Sequence, residues 1–383
     1  MTNNFNAKVI DELIRFRKKL HQKPELSGQE KHTPQLILDF LDVTEQQSVI
    51  KQIGGNGMAV VYDSNKPGPT TVFRCELDAV PIQEINTFPH HSQNVGVSHK
   101  CGHDGHMAIV TGLGVLLKDH PPLRGKIVLL YQPAEETGMG AEAVLKDGRF
   151  TALKPDFMYA LHNVPLLTKN TIYTKSKAFA AASRGIIIKL HGATSHAAEP
   201  ENGKNPALAL SEIIREISIL PKKDLFEDFT LITIVHVLLG EIAFGVSPGY
   251  AEIRATLRTF QKEDMEKLIE EAKAIVYKIS DKEGLKAHID FTEIFPATCN
   301  DDEAVSIIEK CAVNNNISVE KMDQPFKWSE DFGHFLDRYK GAIFALGAGK
   351  ETPKLHNNDY DFPDELIPTG VQLFYTLAQH HNF

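Results

Sequence analysis

Between residues 70 and 161 the chain alternates compact apolar runs with amphipathic stretches, and few folds accommodate that alternation. Thr70 to Leu77, Lys126 to Tyr131 and Phe157 to Leu161 read as short strands. Between the first two, His106 to Leu117 sets Ile109, Val110, Leu113, Leu116 and Leu117 on one helical face, and Ala141 to Lys146 fits a short helix before the third. Strands apolar on both faces and linked by helices predict a parallel or mixed sheet covered by helices. An amphipathic helix bearing Val9, Leu13, Phe16 and Leu20 precedes this block and stops at Lys23-Pro24. Thr33 to Leu41 reads as a second helix, Met58 to Tyr62 as a strand, Ala342 to Leu346 as another core strand and Leu366 to His380 as a closing helix.

The texture changes from about 178 to 292. Ile186–Leu190 is strand-like, Pro206–Leu220 helical and Thr230–Leu238 strand-like. Ala251–Arg258 alternates strictly between apolar and polar residues, Asp264–Ile279 is helical and Lys286–Phe291 is a strand. That β-α-β-β-α-β order is the ferredoxin-like split unit. The small residues in Phe179–Ser183 read as linker. The expected fold is α/β: a mixed-sheet domain with helices on both faces, formed by 1–177 and 293–383, interrupted by a small ferredoxin-like α+β domain at 178–292.

Composition removes several functions. Lys and Arg number 41 against 50 Asp and Glu, a net charge of −9, and no dense basic run offers a nucleic-acid or anionic-membrane footprint. The apolar runs fall well short of the ~20 residues a spanning helix needs. Met1-Thr2-Asn3-Asn4-Phe5 lacks the features of a secretory signal, so a cytoplasmic protein is expected. Four cysteines do not build a disulfide framework. Cys75, Cys299 and Cys311 are expected to be buried small hydrophobes, whereas Cys101 has distinctive neighbours.

In open α/β sheets, ligands bind beyond the carboxyl ends of the strands. Those ends carry Glu76-Leu77-Asp78, then Gln132-Pro133-Ala134-Glu135-Glu136, then His162-Asn163, and Cys101-Gly102-His103-Asp104-Gly105-His106 opens the intervening helix. Thiolate, imidazole and carboxylate together form the donor inventory of zinc and similar divalent ions. Alone, the Cys-His cluster fits equally a helix start capped by Asp104 with solvent-facing histidines. With the paired glutamates and His162 added, the metal reading prevails. Adjacent residues of an extended segment point in different directions, so one glutamate can bind metal while the other takes a proton from activated water.

These residues resemble the metal-dependent amidohydrolase family of hippurate hydrolase, auxin-conjugate hydrolases, N-acetyldiaminopimelate deacetylase and bacterial aminoacylases and carboxypeptidases. The matching segments run in order along nearly the whole chain. They are Leu20–Ser27, Arg74–Ile82, Cys101–His106, Gln132–Glu136, Leu161–Pro165, Ser195–Pro200, Ser329–Phe332 and Leu355–Asn357. The resemblance implies two divalent metal ions, zinc or manganese, with nickel or cobalt as alternatives. It assigns Cys101, His103, Glu136, His162 and His356 as ligands, Glu135 as general base and Asp78 as an acid that orients the site. His196, in the inserted lid domain, would stabilise the oxyanion, and Arg258 would meet the substrate carboxylate. A homodimer or homotetramer through that domain fits the same resemblance.

Three departures bear on specificity. Glu76 stands where aspartate is usual. Gly245 replaces an asparagine expected near the substrate, and Lys327-Trp328 replaces Met-Gly beside the acyl pocket. The expected substrate is a small N-acyl amino acid or related conjugate. The alternatives are a dipeptidase or carboxypeptidase acting on short peptides, and a non-catalytic ligand-binding relative.

Overall fold

The computed structural model describes residues 7–44, 47–222 and 224–383. The chain divides into two compact units, one of Met1–Phe179, Cys299–Gln324 and Asp331–Phe383, the other of Ala180–Thr298 and Pro325–Glu330. The boundaries expected at 178 and 292 thus fall at Ala180 and Thr298. A later segment, Pro325–Glu330, also belongs to the second unit.

The first unit is built on an eight-stranded mixed sheet. Its strand order is Gln47–Ile53, Gly57–Asp63, Lys126–Gln132, Thr70–Glu76, Phe157–Pro165, Lys340–Gly349, Ile172–Thr174 and Val319–Lys321. Thr70–Glu76 runs parallel to both neighbours, and Phe157–Pro165 runs parallel to Lys340–Gly349, so four carboxyl ends open on one edge. Side chains alternate faces along a strand. Val60, Tyr62, Phe73, Ile127 and Leu129 join one core with Leu13, Ile109, Leu113 and Phe374 of the helices Ala7–His21, His103–Asp119 and Leu366–Asn382. Their neighbours Ala59, Val72, Val128 and Leu130 are buried as well, so both faces of the sheet are covered. Each such burial contributes about 1.5–3 kcal/mol for a large aliphatic side chain.

Strands Gln47–Ile53, Ile172–Thr174 and Val319–Lys321 and helix Asp302–Asn314 are among the elements of this unit that were not anticipated. Strand Gln47–Ile53 is largely polar and half exposed, so it lacks an apolar pattern. Helix Asp302–Asn314 did carry a signal: the Asp301 carboxylate caps it by accepting from the Ala304 N–H, and Val305, Ile308 and Ala312 follow at helical spacing. Cys299 is exposed, contrary to expectation, because it is the outward residue of the buried–exposed–buried strand Thr298–Asn300.

The second unit has a four-stranded antiparallel sheet in the order Thr230–Leu239, Tyr250–Thr259, Ala182–His191, Lys286–Phe295. Helices Ala207–Ile219 and Lys262–Lys282 close its core through Leu210, Ile213, Leu268 and Val276. Ala180–Ser183 is buried rather than linker. Alanine fits where the backbone comes close, and the Ala181 N–H donates to the carbonyls of Phe326 and Trp328 at 3.0 and 3.1 Å.

Candidate metal centre

The parallel strands deliver their chemistry at one edge. Asp78 follows Thr70–Glu76 by two residues, Glu135 and Glu136 follow Lys126–Gln132, and His162 lies inside Phe157–Pro165, which runs past the expected end at Leu161. Cys101-Gly102-His103 turns into the helix His103–Asp119. Only glycine suits position 102: its φ is +90°, and a Cβ there would sit 2.4 Å from Asn163 Oδ1. Asp104 does not cap this helix, whose N-cap is Gly102. The aspartate is buried and binds Arg17 and His21 instead. His103 and His106 are also buried, against the solvent-facing alternative.

Five residues from four separate segments meet here. Cys101, His103 and His162 form one triad of ligand atoms and Cys101, Glu136 and His356 a second, each with its atoms within 4.8 Å of one another. Cys101 belongs to both. Cys101 Sγ is 3.5 Å from His162 Nε2, and His356 Nε2 is 3.4 Å from Glu136 Oε1. The imidazoles are aimed by their outer nitrogens. His103 Nδ1 donates to the Asp78 carbonyl at 2.8 Å and His162 Nδ1 to the Asn163 carbonyl at 2.9 Å, so each presents Nε2 inward. His103 Nε2 makes no hydrogen bond among the described residues. The nearest Glu135 and Glu136 oxygens are 3.9 and 3.8 Å away, too far for one and wide enough for a cation between them. A buried nitrogen left this way, ringed by thiol and carboxylate, is what a divalent ion satisfies.

The electrostatics agree. Burial, with His106 adding, pushes His162 down to about 3, keeping the neutral imidazole that ligation requires. Burial and the charges of Glu136 and Glu135 push the Cys101 thiol well above its usual range, and a bound dication reverses that balance. Glu136 is held at about 2 because His356 and His103 outweigh its burial. Glu135 is also buried and lies outside the two triads that share Cys101, though it forms a further donor group with His103 and Glu136; its Oε1 lies 3.4 Å from the Asp331 N–H.

Asp78 acts on the site through two groups. Its carbonyl fixes His103, while its carboxylate accepts from Ser27 Oγ at 2.6 Å and from the Glu136 N–H at 3.0 Å. Burial, with Glu136 adding, pushes this carboxyl up to about 6. Glu76 is bonded to Arg74 and to His106 Nδ1 and forms a further donor group with His103 and His106. Arg74 continues to Gln132 and Asp331, and the Asp331 carboxylate receives the Ala141 N–H, so a buried polar lattice supports the loop carrying the glutamates.

A second buried network joins the first helix to the site. Arg17 bonds Asp104, Asp361 and Asp364; His21 bonds Asp104 at 2.8 Å and Glu84 at 3.1 Å. Burial alone would depress His21, yet Asp104 and Glu84 raise it to about 9 from an ordinary 6.5. Folding therefore gains stability from this proton, fully below about pH 6.5, and loses it as pH rises through about 9. At about 1.4 kcal/mol per pKa unit, metal-free protein should lose on the order of 3 kcal/mol across that window in denaturant titrations. A His21→Gln variant should show a flatter profile; an unchanged slope would rule the linkage out.

The remaining expected site residues lie in the second unit. His196 is exposed on the short ribbon Ser195–His196 against Val246–Ser247, and the neighbouring Gly245 carbonyl accepts from the Ala197 N–H at 3.0 Å. Arg258 Nη1 donates to the Lys327 carbonyl and Ser329 Oγ, both at 3.0 Å, and Trp328 stacks on Phe326 with ring centroids 4.7 Å apart. Arg258 thus supports the segment that carries Trp328. Sequence reasoning gave no role to Asn163, Lys100 and Tyr360, and named His106 only as part of the Cys-His cluster; His106 bonds Glu76 and Asn163.

Residues 72–380 match Peptidase family M20/M25/M40. The chain belongs to that family. An N-acetyldiaminopimelate deacetylase of Anoxybacillus flavithermus is 32% identical over 94% of this chain and 95% of its own. Hippurate hydrolase of Campylobacter jejuni is 28% identical, covering 98% of both chains. A solved Bacillus subtilis structure described as a dinuclear metal-binding peptidase from M20 family has a TM-score of 0.82 and 25% identity, covering 97% of this chain and 98% of that one.

Proposed function

We propose that the protein is a cytoplasmic amidohydrolase that removes the acyl group from N-acyl amino acids or related small conjugates, using two zinc or manganese ions. The observation that carries this reading is the sharing of Cys101 between two donor triads, with the Glu135 carboxylate beside them in a further group with His103 and Glu136; we assign Glu135 as the base rather than a ligand. Two divalent cations there would polarise an amide carbonyl and lower the pKa of bound water towards about 7. Glu135 then accepts the water's proton and returns it to the leaving amine. Asp78 fixes the direction of His103 and the backbone of Glu136. His196 is the proposed donor to the oxyanion, and the Arg258 fork suits a substrate carboxylate. Gly245 and Trp328 are proposed to set the specificity. The deacetylase and hippurate hydrolase likeness supports an acyl-amino acid substrate. The inserted unit is proposed to carry self-association, since its edge strand Thr230–Leu239 exposes Leu231, Val235 and Val237.

The test is a panel of N-acetyl and N-benzoyl amino acids against dipeptides, with protein loaded separately with zinc, manganese, nickel or cobalt. Turnover of acyl-amino acids is expected. Cleavage of dipeptides alone would move the assignment to a peptidase, and binding without turnover to a non-catalytic relative.

A further inference from the structure

We propose that Lys100 is a positioning residue for His356, an inference that rests on the two-cation reading above. Lys100 is completely buried, and lysine is almost never so unless it is paired. Its Nζ donates to Glu84 Oε1 at 2.5 Å and to the Tyr360 carbonyl at 2.7 Å, while its own carbonyl accepts from the His356 N–H at 2.8 Å. One residue therefore grips both ends of the turn from 356 to 360, and it precedes Cys101 in the chain.

That turn needs an external hold. His356 has a φ of +64°, a left-handed conformation costly for a non-glycine residue, and its side chain is 51% exposed, so packing does little to fix it. Its place beside Glu136 is set instead from the backbone. The Tyr360 hydroxyl also bonds Asn163, the neighbour of His162. Glu84 in turn is fixed by His21 and by the Ser92 N–H at 2.6 Å. The chain thus builds a buried strut from the first helix through Glu84 and Lys100 to the loop holding its most exposed ligand. Among the described residues Lys100 Nζ bonds Glu84 and the Tyr360 carbonyl, neither of them a proposed ligand or the proposed base. It acts through where His356 stands.

Stepwise zinc affinities, measured by chelator competition on wild type, Lys100→Met, His356→Ala and the double variant, test this. Lys100→Met should weaken one of the two zinc ions about 10–100-fold and leave the other within a few-fold. In the His356→Ala background the same substitution should change zinc affinity by less than about threefold, because both changes act through one group. Equal losses at both zinc ions, or an undiminished loss without His356, would overturn the proposal. Methionine removes one of the partners of Glu84, so Lys100→Gln serves as a second variant read in the same way. Hydrogen exchange on the unsubstituted, metal-free protein gives a variant-free check. The His356 amide should exchange at least about 100-fold slower than an open chain, and an unprotected amide overturns the strut. Wild type that takes up two zinc ions but cleaves nothing defeats the proposed function and leaves this inference standing.

Discussion

Glu135→Gln is expected to lower kcat by about 10²–10⁴-fold while the protein keeps both metal ions, the range that loss of a general base typically produces. Glutamine preserves the shape of the side chain and can still face the Asp331 N–H, but it cannot take a proton. Glu135 lies outside the two triads that share Cys101 but also groups with His103 and Glu136, so retained metal identifies it as base rather than ligand. Elemental analysis beside steady-state kinetics reads both halves of the expectation. Full activity would exclude Glu135 as the base. Lost metal would make it a ligand.

Cys101→Ser should be more damaging at the level of metal. The sulfur is the one donor common to the two triads, so its loss leaves each with two protein ligands. Serine is nearly isosteric, yet its hydroxyl ionises far less readily than a thiol and is a poorer match for borderline divalent ions. Removing an outer hydrogen-bond partner typically costs 10–100-fold in metal affinity. Loss of a shared first ligand should exceed about 100-fold for both ions and abolish turnover. Weakening of a single ion would show that the sulfur does not bridge.

Much of this was legible in the sequence because the strands are short, apolar and regularly spaced. Thr70–Glu76, Lys126–Gln132 and Phe157–Pro165 announce themselves, and their ends carry the donors. Cys101, His103, Glu135, Glu136 and His162 could be gathered from that logic alone. His356 could not: it sits in an exposed loop after Lys340–Gly349, in a left-handed conformation no local pattern encodes, and only the family likeness pointed to it. The supporting polar groups were invisible for a related reason. Arg74 and Lys100 each look like a lone polar residue and His106 like one more member of the Cys-His cluster, and their roles arise from partners between 2 and 260 positions away. Burial of charge is a tertiary property, so Asp104 read locally as a helix cap although it pairs with Arg17 and His21. The Ala180–Ser183 segment misled in the opposite direction, since small residues mark close backbone contact as readily as a linker.

The most direct test of the central claim is anomalous diffraction from crystals of the zinc- or manganese-loaded protein. Two peaks flanking Cys101 Sγ are expected, one within ligand distance of His103 and His162 and the other of Glu136 and His356, with Glu135 bound to neither. A single peak, or ions held without Cys101, would contradict the account.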